Sequence, residues 1–204
     1  SDEEFQSLFL KIGRLQFYLL SLILSGFIVF GHSFLHYWVG DGFDLVYIIT
    51  LLIIAPFTID LIQNVGLAIM QARNVYHVRA VVYVLVGTLN VVLAYFWIDA
   101  YGIVGGAAAT GLSMVLGNGL IMNVYYQRTM KLNIFRLSLV TIVVTAAGLY
   151  IIPYIDLNKS IYILIISMLV YAFIYFGLQR VINFNTYERQ LSDSVLVKLR
   201  LKKR

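Results

Sequence analysis

Cysteine is absent from the chain, which excludes disulfide bonds as a source of stability. Charged residues are scarce too, at 12% of the sequence against about 25% in a typical soluble domain. The sequence lacks a glycine-rich phosphate loop followed by Lys and Ser or Thr, a metalloprotease helix motif and a nucleophile elbow. His32 and His36 lie one helical turn apart, but no third metal ligand accompanies them. We therefore expect no enzymatic activity, no ATP-driven engine, no metal and no cofactor.

Hydrophobic residues make up 61% of the chain and gather in long apolar segments. A helix that crosses a bilayer needs about 20 mainly apolar residues, and six segments approach or exceed this length. The connections on one side are very short, which favours antiparallel neighbours. The sequence therefore predicts an all-α integral membrane protein built as a six-transmembrane-helix bundle. The predicted spans are 15–39, 45–69, 80–98, 103–126, 137–155 and 161–179.

Positive charges are sorted between the two sides of this predicted bundle. Fourteen of the fifteen Lys and Arg residues fall in every second gap between the apolar segments, and only Lys159 falls on the other side. Lys and Arg are retained on the cytoplasmic side of a membrane, so both ends of this segment are predicted to be cytoplasmic. The pI of about 9.4 then reflects membrane topology, and no nucleic-acid partner is expected.

The two ends of the chain differ from its apolar middle. Residues 1–14 are predicted to form an interfacial helix or linker, because acids precede apolar residues on one helical face. Residues 15–180 form the predicted transmembrane lobe, and residues 181–204 a basic cytoplasmic tail. The tail is either an amphipathic helix on the anionic inner leaflet or a frayed, solvated end. The chain does not begin with Met, so we expect it to be part of a longer protein.

The fourth predicted span carries a ridge of small residues spaced four apart: Gly105, Ala109, Ser113 and Gly117. Lipid tails give helices no hydrophobic reason to associate, so small residues that allow close backbone approach supply the packing contact. The ridge can also serve as a sliding surface for rocking motions. Tight helix packing is the favoured interpretation, because such ridges are common in membrane bundles.

Asp60 is the only ionisable residue well inside a predicted span, and Gln63 and Asn64 are predicted to share its face. An acid within the membrane favours a functional role as a proton relay, a cation site or part of a cavity lining. The alternative is a structural acid that bonds to Asn90, to Asn118 or to an Arg of another lobe. Asn90 and Asn118 are candidate cavity residues too, although such residues more often form hydrogen bonds between helices.

The region around the fourth span also carries a distinctive motif. Leu89-Asn90 is followed by a run from Tyr101 to Ser113 that reads YGIVGGAAATGLS. This pattern resembles the LN … YGIxGAAxATxxS signature of polysaccharide flippases. Further similar stretches are YWVG at 37–40, LIQNVG at 61–66, QARN at 71–74 and KLNI at 131–134. The chain thus resembles the carboxy-terminal half of an O-antigen (Wzx-type) flippase.

This resemblance implies one lobe of a MATE-like two-lobe transporter, in the superfamily that also holds multidrug and toxin extrusion antiporters and the lipid II flippase. It implies a location in the bacterial inner membrane. The implied task is to flip a polyprenyl-diphosphate-linked oligosaccharide for O-antigen, lipopolysaccharide or other surface polysaccharide. The implied partners are this lipid-linked substrate, membrane lipids, the amino-terminal lobe of the same protein and the polysaccharide polymerase machinery.

The resemblance also gives a role to the cations near the predicted cytoplasmic mouth. Arg73, Arg79 and Arg128 are candidates to meet the diphosphate on entry, because guanidinium pairs bidentately with phosphate. Ordinary membrane topology and lipid-headgroup contact form the favoured alternative. Two other functions stay open. One is half of a multidrug or cation antiporter, which would require further acids besides Asp60 along its cavity. The other is a non-transporting membrane scaffold for glycan assembly, which would need only packing surfaces.

Overall fold

The structure, a computed structural model, describes residues 2–42, 44–130, 139–155 and 157–182, and all secondary structure within these ranges is helical. The chain divides into two compact units, 1–136 and 137–204. The first unit contains α1 (Asp2–Trp38), α2 (Asp44–Ile62), α3 (Asn64–Ala72), α4 (His77–Met114), a π-helical segment (Val115–Met122) and α5 (Asn123–Met130). The second unit contains α6 (Leu139–Ile151), 3-10 turns at Ile152–Tyr154 and Leu157–Lys159, and α7 (Ile161–Ile182).

Four helical segments within the described ranges are long and apolar enough to cross a membrane: Ile12–Trp38, Asp44–Ile62, His77–Arg128 and Ile161–Ile182. A shorter apolar helix covers Val140–Tyr154. Large apolar side chains lie on the outer faces of these helices, and Val91 and Phe173 keep 70% and 81% of their surface exposed. Contact between such an apolar surface and lipid tails costs no free energy, whereas its contact with water is unfavourable. The predicted all-helical class with membrane-compatible helices is confirmed.

The longest of these segments, His77–Arg128, doubles back on itself at Gly102. A straight helix of its 52 residues would extend about 78 Å, more than twice the roughly 30 Å of a bilayer core. Gly102 has φ 60° and ψ −142°, a backbone conformation that residues with a Cβ rarely adopt. The first arm (77–101) and the second arm (103–130) then lie side by side, and the Thr110 hydroxyl donates to Asn90 Oδ1 across them at 3.3 Å.

Several helix boundaries differ from those predicted. The interfacial helix 1–14 and the span 15–39 are joined in one continuous helix, α1, which runs from Asp2 to Trp38. The span 45–69 is interrupted at Gln63, which separates α2 from α3. The predicted loop at 99–102 is reduced to a reversal at one glycine. The stretch 131–134 and nearly all of the tail 181–204 lie outside the described residues.

α1 and α2 form a hairpin around Tyr47. Its hydroxyl donates to the Ile28 carbonyl at 2.8 Å, and its ring stacks on Phe27 with 5.7 Å between the centroids. A Cβ built at Gly31 would lie 3.0 Å from the Tyr47 ring, so the glycine lets the tyrosine lie close against α1. This contact aligns α2 and its Asp60 within the first unit.

The second unit is held by polar contacts between α6 and α7. The Thr141 and Tyr175 hydroxyls lie 3.1 Å apart, and Gln179 Nε2 donates to Thr141 Oγ1 at 3.4 Å. Tyr175 and Gln179 are fully buried. Apolar side chains such as Val144 and Leu164 are buried in the same unit. These bonds satisfy polar groups that would be costly to leave unpaired in a membrane helix.

Candidate functional site

A buried guanidinium forms the centre of the first unit. Arg79, in the first turns of α4, keeps 1% of its surface exposed, and its Nη2 lies 2.6 Å from Asp60 Oδ1. Nε donates to the Tyr83 hydroxyl at 3.1 Å. Nη1 donates to the Tyr126 hydroxyl at 3.0 Å and to the Gln63 carbonyl at 3.3 Å. We call these five residues the Arg79 network. A buried charge is tolerated only when paired and hydrogen-bonded in this way.

The interruption between α2 and α3 makes the backbone carbonyl of Gln63 available to Arg79. Gln63 has ψ −4°, and its N–H bonds back to the Ile59 and Asp60 carbonyls at 3.3 and 3.1 Å. The Gln63 carbonyl accepts from the Leu67 N–H at 3.1 Å and also from Arg79. A carbonyl oxygen has two lone pairs, so one oxygen can serve both donors.

Tyr126 reaches the guanidinium because Gly66 leaves room for its ring. A Cβ built at Gly66 would lie 2.7 Å from Tyr126 Cζ, closer than any real side chain permits. The tyrosine is fully buried and packs in a cluster with Ile69, Met70 and Met122. α3, α4 and α5 therefore meet around one ring, whose hydroxyl accepts from the arginine.

The structure changes the predicted arrangement of charge. Arg79, assigned from sequence to the cytoplasmic mouth as a phosphate contact, is buried and paired with Asp60. Asp60 bonds to this arginine of its own unit and to the Tyr83 hydroxyl at 3.0 Å. The structural alternative had offered Asn90, Asn118 or an Arg of another lobe as its partner. Arg73 and Arg128 are exposed, which leaves them as candidates for meeting an anionic group.

The other predicted cavity residues fall in different surroundings. Gln63 Nε2 donates to the Asn118 carbonyl at 2.7 Å, so these two residues do come together beside the Arg79 network. Asn90 lies farther along the first arm, where it accepts from Thr110. Asn64 is exposed at the start of α3. The five predicted residues therefore do not form one cluster.

Polar groups continue along one face of the first arm. Arg79, Tyr83, Gly87 and Asn90 recur at spacings of four, four and three residues, which places them on the same side of a helix. Tyr83 keeps 42% of its surface exposed, Gly87 is exposed and Asn90 is half-buried. We call this face the polar stripe. Its length is about 16 Å, from the eleven steps of roughly 1.5 Å between Arg79 and Asn90.

The small-residue ridge lies between helices. A Cβ at Gly105 would meet the Trp97 carbonyl, and one at Gly117 would meet the Val86 side chain. Ala109 and Ser113 are fully buried, and Ser113 Oγ donates to the Ala109 carbonyl at 2.7 Å. These positions lie where the two arms approach each other or their neighbours.

Sequence reasoning missed one close approach and two members of the site. A Cβ at Gly111 would meet the carbonyl oxygen of Leu52 in α2, but Gly111 is not in the predicted four-residue series. The residues predicted for the site include neither Tyr83 nor Tyr126. Pro56 could have indicated the close approach at Gly111. A proline has no N–H to donate to the carbonyl four residues earlier, which here is that of Leu52.

A separate cavity of about 230 Å³ lies at the α1–α2 turn. His32 Nε2 pairs with Asp44 Oδ1 at 2.9 Å and His36 Nδ1 with Asp41 Oδ1 at 2.6 Å, and all four residues line the cavity. Within the described ranges no group of three or more His, Cys, Asp or Glu residues is arranged to hold a metal. These histidines pair with acids of the turn, so each has a structural partner.

Comparisons with known proteins identify no relative. No family model, curated protein or solved structure matches the chain significantly.

The Tyr126 hydroxyl is expected to contribute measurably to stability. Tyr126→Phe keeps the ring on Gly66 but removes the acceptor from Arg79 Nη1, so we expect a loss of about 1.5–3 kcal/mol in the free energy of unfolding. Denaturant unfolding in detergent measures this loss. The neighbouring Tyr125→Phe is the matched control, with an expected change within about 0.5 kcal/mol. Equal effects of the two substitutions would contradict the assigned role.

Proposed function

We propose that this chain is one lobe of a membrane carrier that flips a polyprenyl-diphosphate-linked oligosaccharide. The motif resemblance suggests the substrate class, and the polar stripe carries the argument from the structure. A buried arginine that pairs with Asp60 of α2, an exposed tyrosine and a half-buried asparagine lie on one face of the first arm, whose other exposed residues are mostly apolar. Lipid would penalise such a face, so it is suited to a water-filled cavity or a polar partner.

The physical demand of the proposed task matches this arrangement. A diphosphate and a sugar chain cannot cross hydrocarbon unaided, because unpaired buried charge costs many kcal/mol. A carrier has to offer polar groups along the route while the polyprenyl tail stays in the lipid. In this scheme the polar stripe forms one wall of the route, and exposed Arg73 meets the diphosphate at the entrance.

The proposed architecture has six crossings with both ends cytoplasmic. Two observations support this count beyond the four long apolar helices. The reversal at Gly102 turns the 52-residue segment His77–Arg128 into two antiparallel arms, each long enough to cross a bilayer. The apolar helix at Val140–Tyr154 corresponds to the remaining crossing. The sorting of Lys and Arg in the sequence gives the orientation.

The multidrug or cation antiporter is the weaker alternative. Such a carrier needs an acid that is free to exchange a proton or a cationic drug within the membrane. Asp60 is instead paired with Arg79 at 2.6 Å and accepts a hydrogen bond from Tyr83. That arrangement favours the flippase over cation exchange.

Complementation tests the proposal. The full-length gene whose product contains this lobe, expressed with its matching sugar cluster in a flippase-deficient strain, is expected to restore surface polysaccharide. We expect Arg73→Ala to lower the restored amount by roughly tenfold at unchanged protein level, because a charged phosphate contact is lost. Asp60→Asn should also lower the amount of restored polysaccharide when that amount is divided by the amount of folded protein. Asp99→Asn, at the far end of the first arm, is the matched control.

The outcomes separate the flippase from the two alternative functions. Failure of the wild type to restore polysaccharide, despite normal membrane expression and a matched sugar cluster, would refute the flippase function and favour drug antiport. A non-transporting scaffold would not restore polysaccharide in a flippase-deficient strain either. Full restoration by both the Arg73 and the Asp60 variants would show that neither residue contributes to transport. Only restoration by wild type with loss in Arg73→Ala supports the proposal.

A further inference from the structure

Two irregular backbone segments meet beside the Arg79 network. One is the interruption at Gln63 between α2 and α3, and the other is the π-helical segment Val115–Met122. Gln63 Nε2 donates to the Asn118 carbonyl at 2.7 Å, which joins them directly. π-helical turns are frequent at functional sites, and irregular backbone at membrane depth occurs where protein or water surrounds it.

Four buried side-chain atoms in these two segments, or in the residue that follows the second, have no hydrogen-bond partner among the described residues. They are Gln63 Oε1, Asn118 Oδ1, Asn118 Nδ2 and Asn123 Oδ1. Gln63 keeps 0% and Asn118 1% of its surface exposed, so lipid headgroups and bulk water do not reach them. Leaving such atoms unpaired costs about 1–3 kcal/mol each. A small polar ligand would remove that cost.

The charges nearby indicate which ligand fits. Asp60 and Arg79 neutralise each other at 2.6 Å, and no further acid is brought to the junction by the described contacts. A cation would therefore be buried without a counter-charge, which is expensive in a low-dielectric interior. The unpartnered set also contains a donor, Asn118 Nδ2, which no cation can satisfy. Water both donates and accepts, and buried waters typically make about three such bonds.

We propose that Gln63, Asn118 and Asn123 form a binding site for water inside the first unit. Two bound waters satisfy the four atoms. One accepts from Asn118 Nδ2 and donates to Gln63 Oε1, and the other donates to Asn118 Oδ1 and Asn123 Oδ1. Both waters stabilise the junction between the interrupted helix and the π-helical segment. This inference does not depend on the proposed transport function.

Replacing Asn118 with Leu tests the site through stability. Leucine has the same branched side-chain skeleton without polar atoms, and the Gln63 bond to the Asn118 carbonyl is retained. If water satisfies the amide, Asn118→Leu should lower Tm by about 2–6 °C. If the atoms are unpaired, the substitution should leave Tm unchanged or raise it, which would overturn the proposal. Met122→Leu, a volume-conserving change at a fully buried position of the same segment, is the control.

Radiolytic labelling distinguishes a lost water from overpacking by leucine. A brief X-ray pulse converts bound water into hydroxyl radicals, which modify adjacent side chains even when these are buried. Tyr126 is fully buried and is joined through Arg79 to Gln63, whereas Tyr175 is fully buried in the other unit. We expect labelling of Tyr126 to fall at least severalfold in Asn118→Leu while labelling of Tyr175 is unchanged. Equal labelling of Tyr126 in both proteins would refute the site.

Salt exchange tests the choice of ligand. Thermal unfolding of the wild-type chain in NaCl, KCl and choline chloride at equal ionic strength should give the same Tm. A gain of several degrees that is specific to Na⁺ or K⁺ and is lost in Asn118→Leu would overturn the assignment to water.

Discussion

Asp60→Ala is expected to destabilise the protein by about 3–5 kcal/mol, because it leaves a buried guanidinium without its counter-charge. Arg79 keeps 1% of its surface exposed, so water cannot replace the carboxylate that lies 2.6 Å from Nη2. The tyrosine hydroxyls and the Gln63 carbonyl that remain are neutral. Denaturant unfolding in detergent, followed by tyrosine and tryptophan fluorescence, measures the change.

A double-mutant cycle separates loss of the pair from loss of packing around it. Arg79→Met removes the charge and keeps most of the side-chain length, so Asp60→Ala with Arg79→Met should recover at least half of the stability lost in Asp60→Ala alone. Arg128→Met is the matched control at an exposed position, and its effect should stay within about 0.5 kcal/mol. If Asp60→Ala is no worse than this control, the buried pair does not hold the helices as described.

Gly111→Ala is expected to have the second-largest effect, a loss of about 2–3 kcal/mol. The Cβ of alanine would meet the carbonyl oxygen of Leu52, which belongs to the backbone of α2 and cannot rotate away. That carbonyl comes four residues before Pro56, so it lacks the N–H that would normally accompany it within the helix. The second arm therefore packs closely against α2 at the place where the proline has left an oxygen without its helical donor.

Gly87→Ala is the matched control for this prediction. Gly87 lies in the first arm with nothing within 4 Å of a built Cβ, so alanine there should leave stability unchanged or raise it by up to about 1 kcal/mol. The difference between the two glycine variants in the same unfolding assay reports the clash alone. A Gly111→Ala variant as stable as Gly87→Ala would show that α2 and the second arm separate without cost.

Length and apolarity were sufficient to predict the helical class, because a run of about 20 apolar residues has few other stable conformations in a membrane. They were not sufficient to place the interruption at Gln63. The apolar residues continue through it, and the Arg79 donor that occupies its carbonyl comes from sixteen residues later. Nor does any local pattern distinguish the π-helical segment Val115–Met122 from an α-helix.

The site was predicted in part for a similar reason. Asp60 was identifiable from sequence because an acid inside an apolar span is costly without a partner. Its partner was assigned elsewhere, because charge sorting shows on which side of a membrane an arginine lies and not how deeply it is buried. Arg79 is only one helical turn from Tyr83, and this spacing could have indicated that the two share a face.

The two arms of the long helical segment are connected through a single non-helical residue, Gly102. With one residue at the turn, the angle between the two arms can change only by rotation at Gly102. Arg79 lies 23 residues from that pivot, about 35 Å along the first arm. A tilt of about 5° at Gly102 would therefore displace the buried guanidinium by roughly 3 Å, which is as long as the hydrogen bonds that hold it. Small rotations at one end of the unit are thus sufficient to break or form the charge pair at the other.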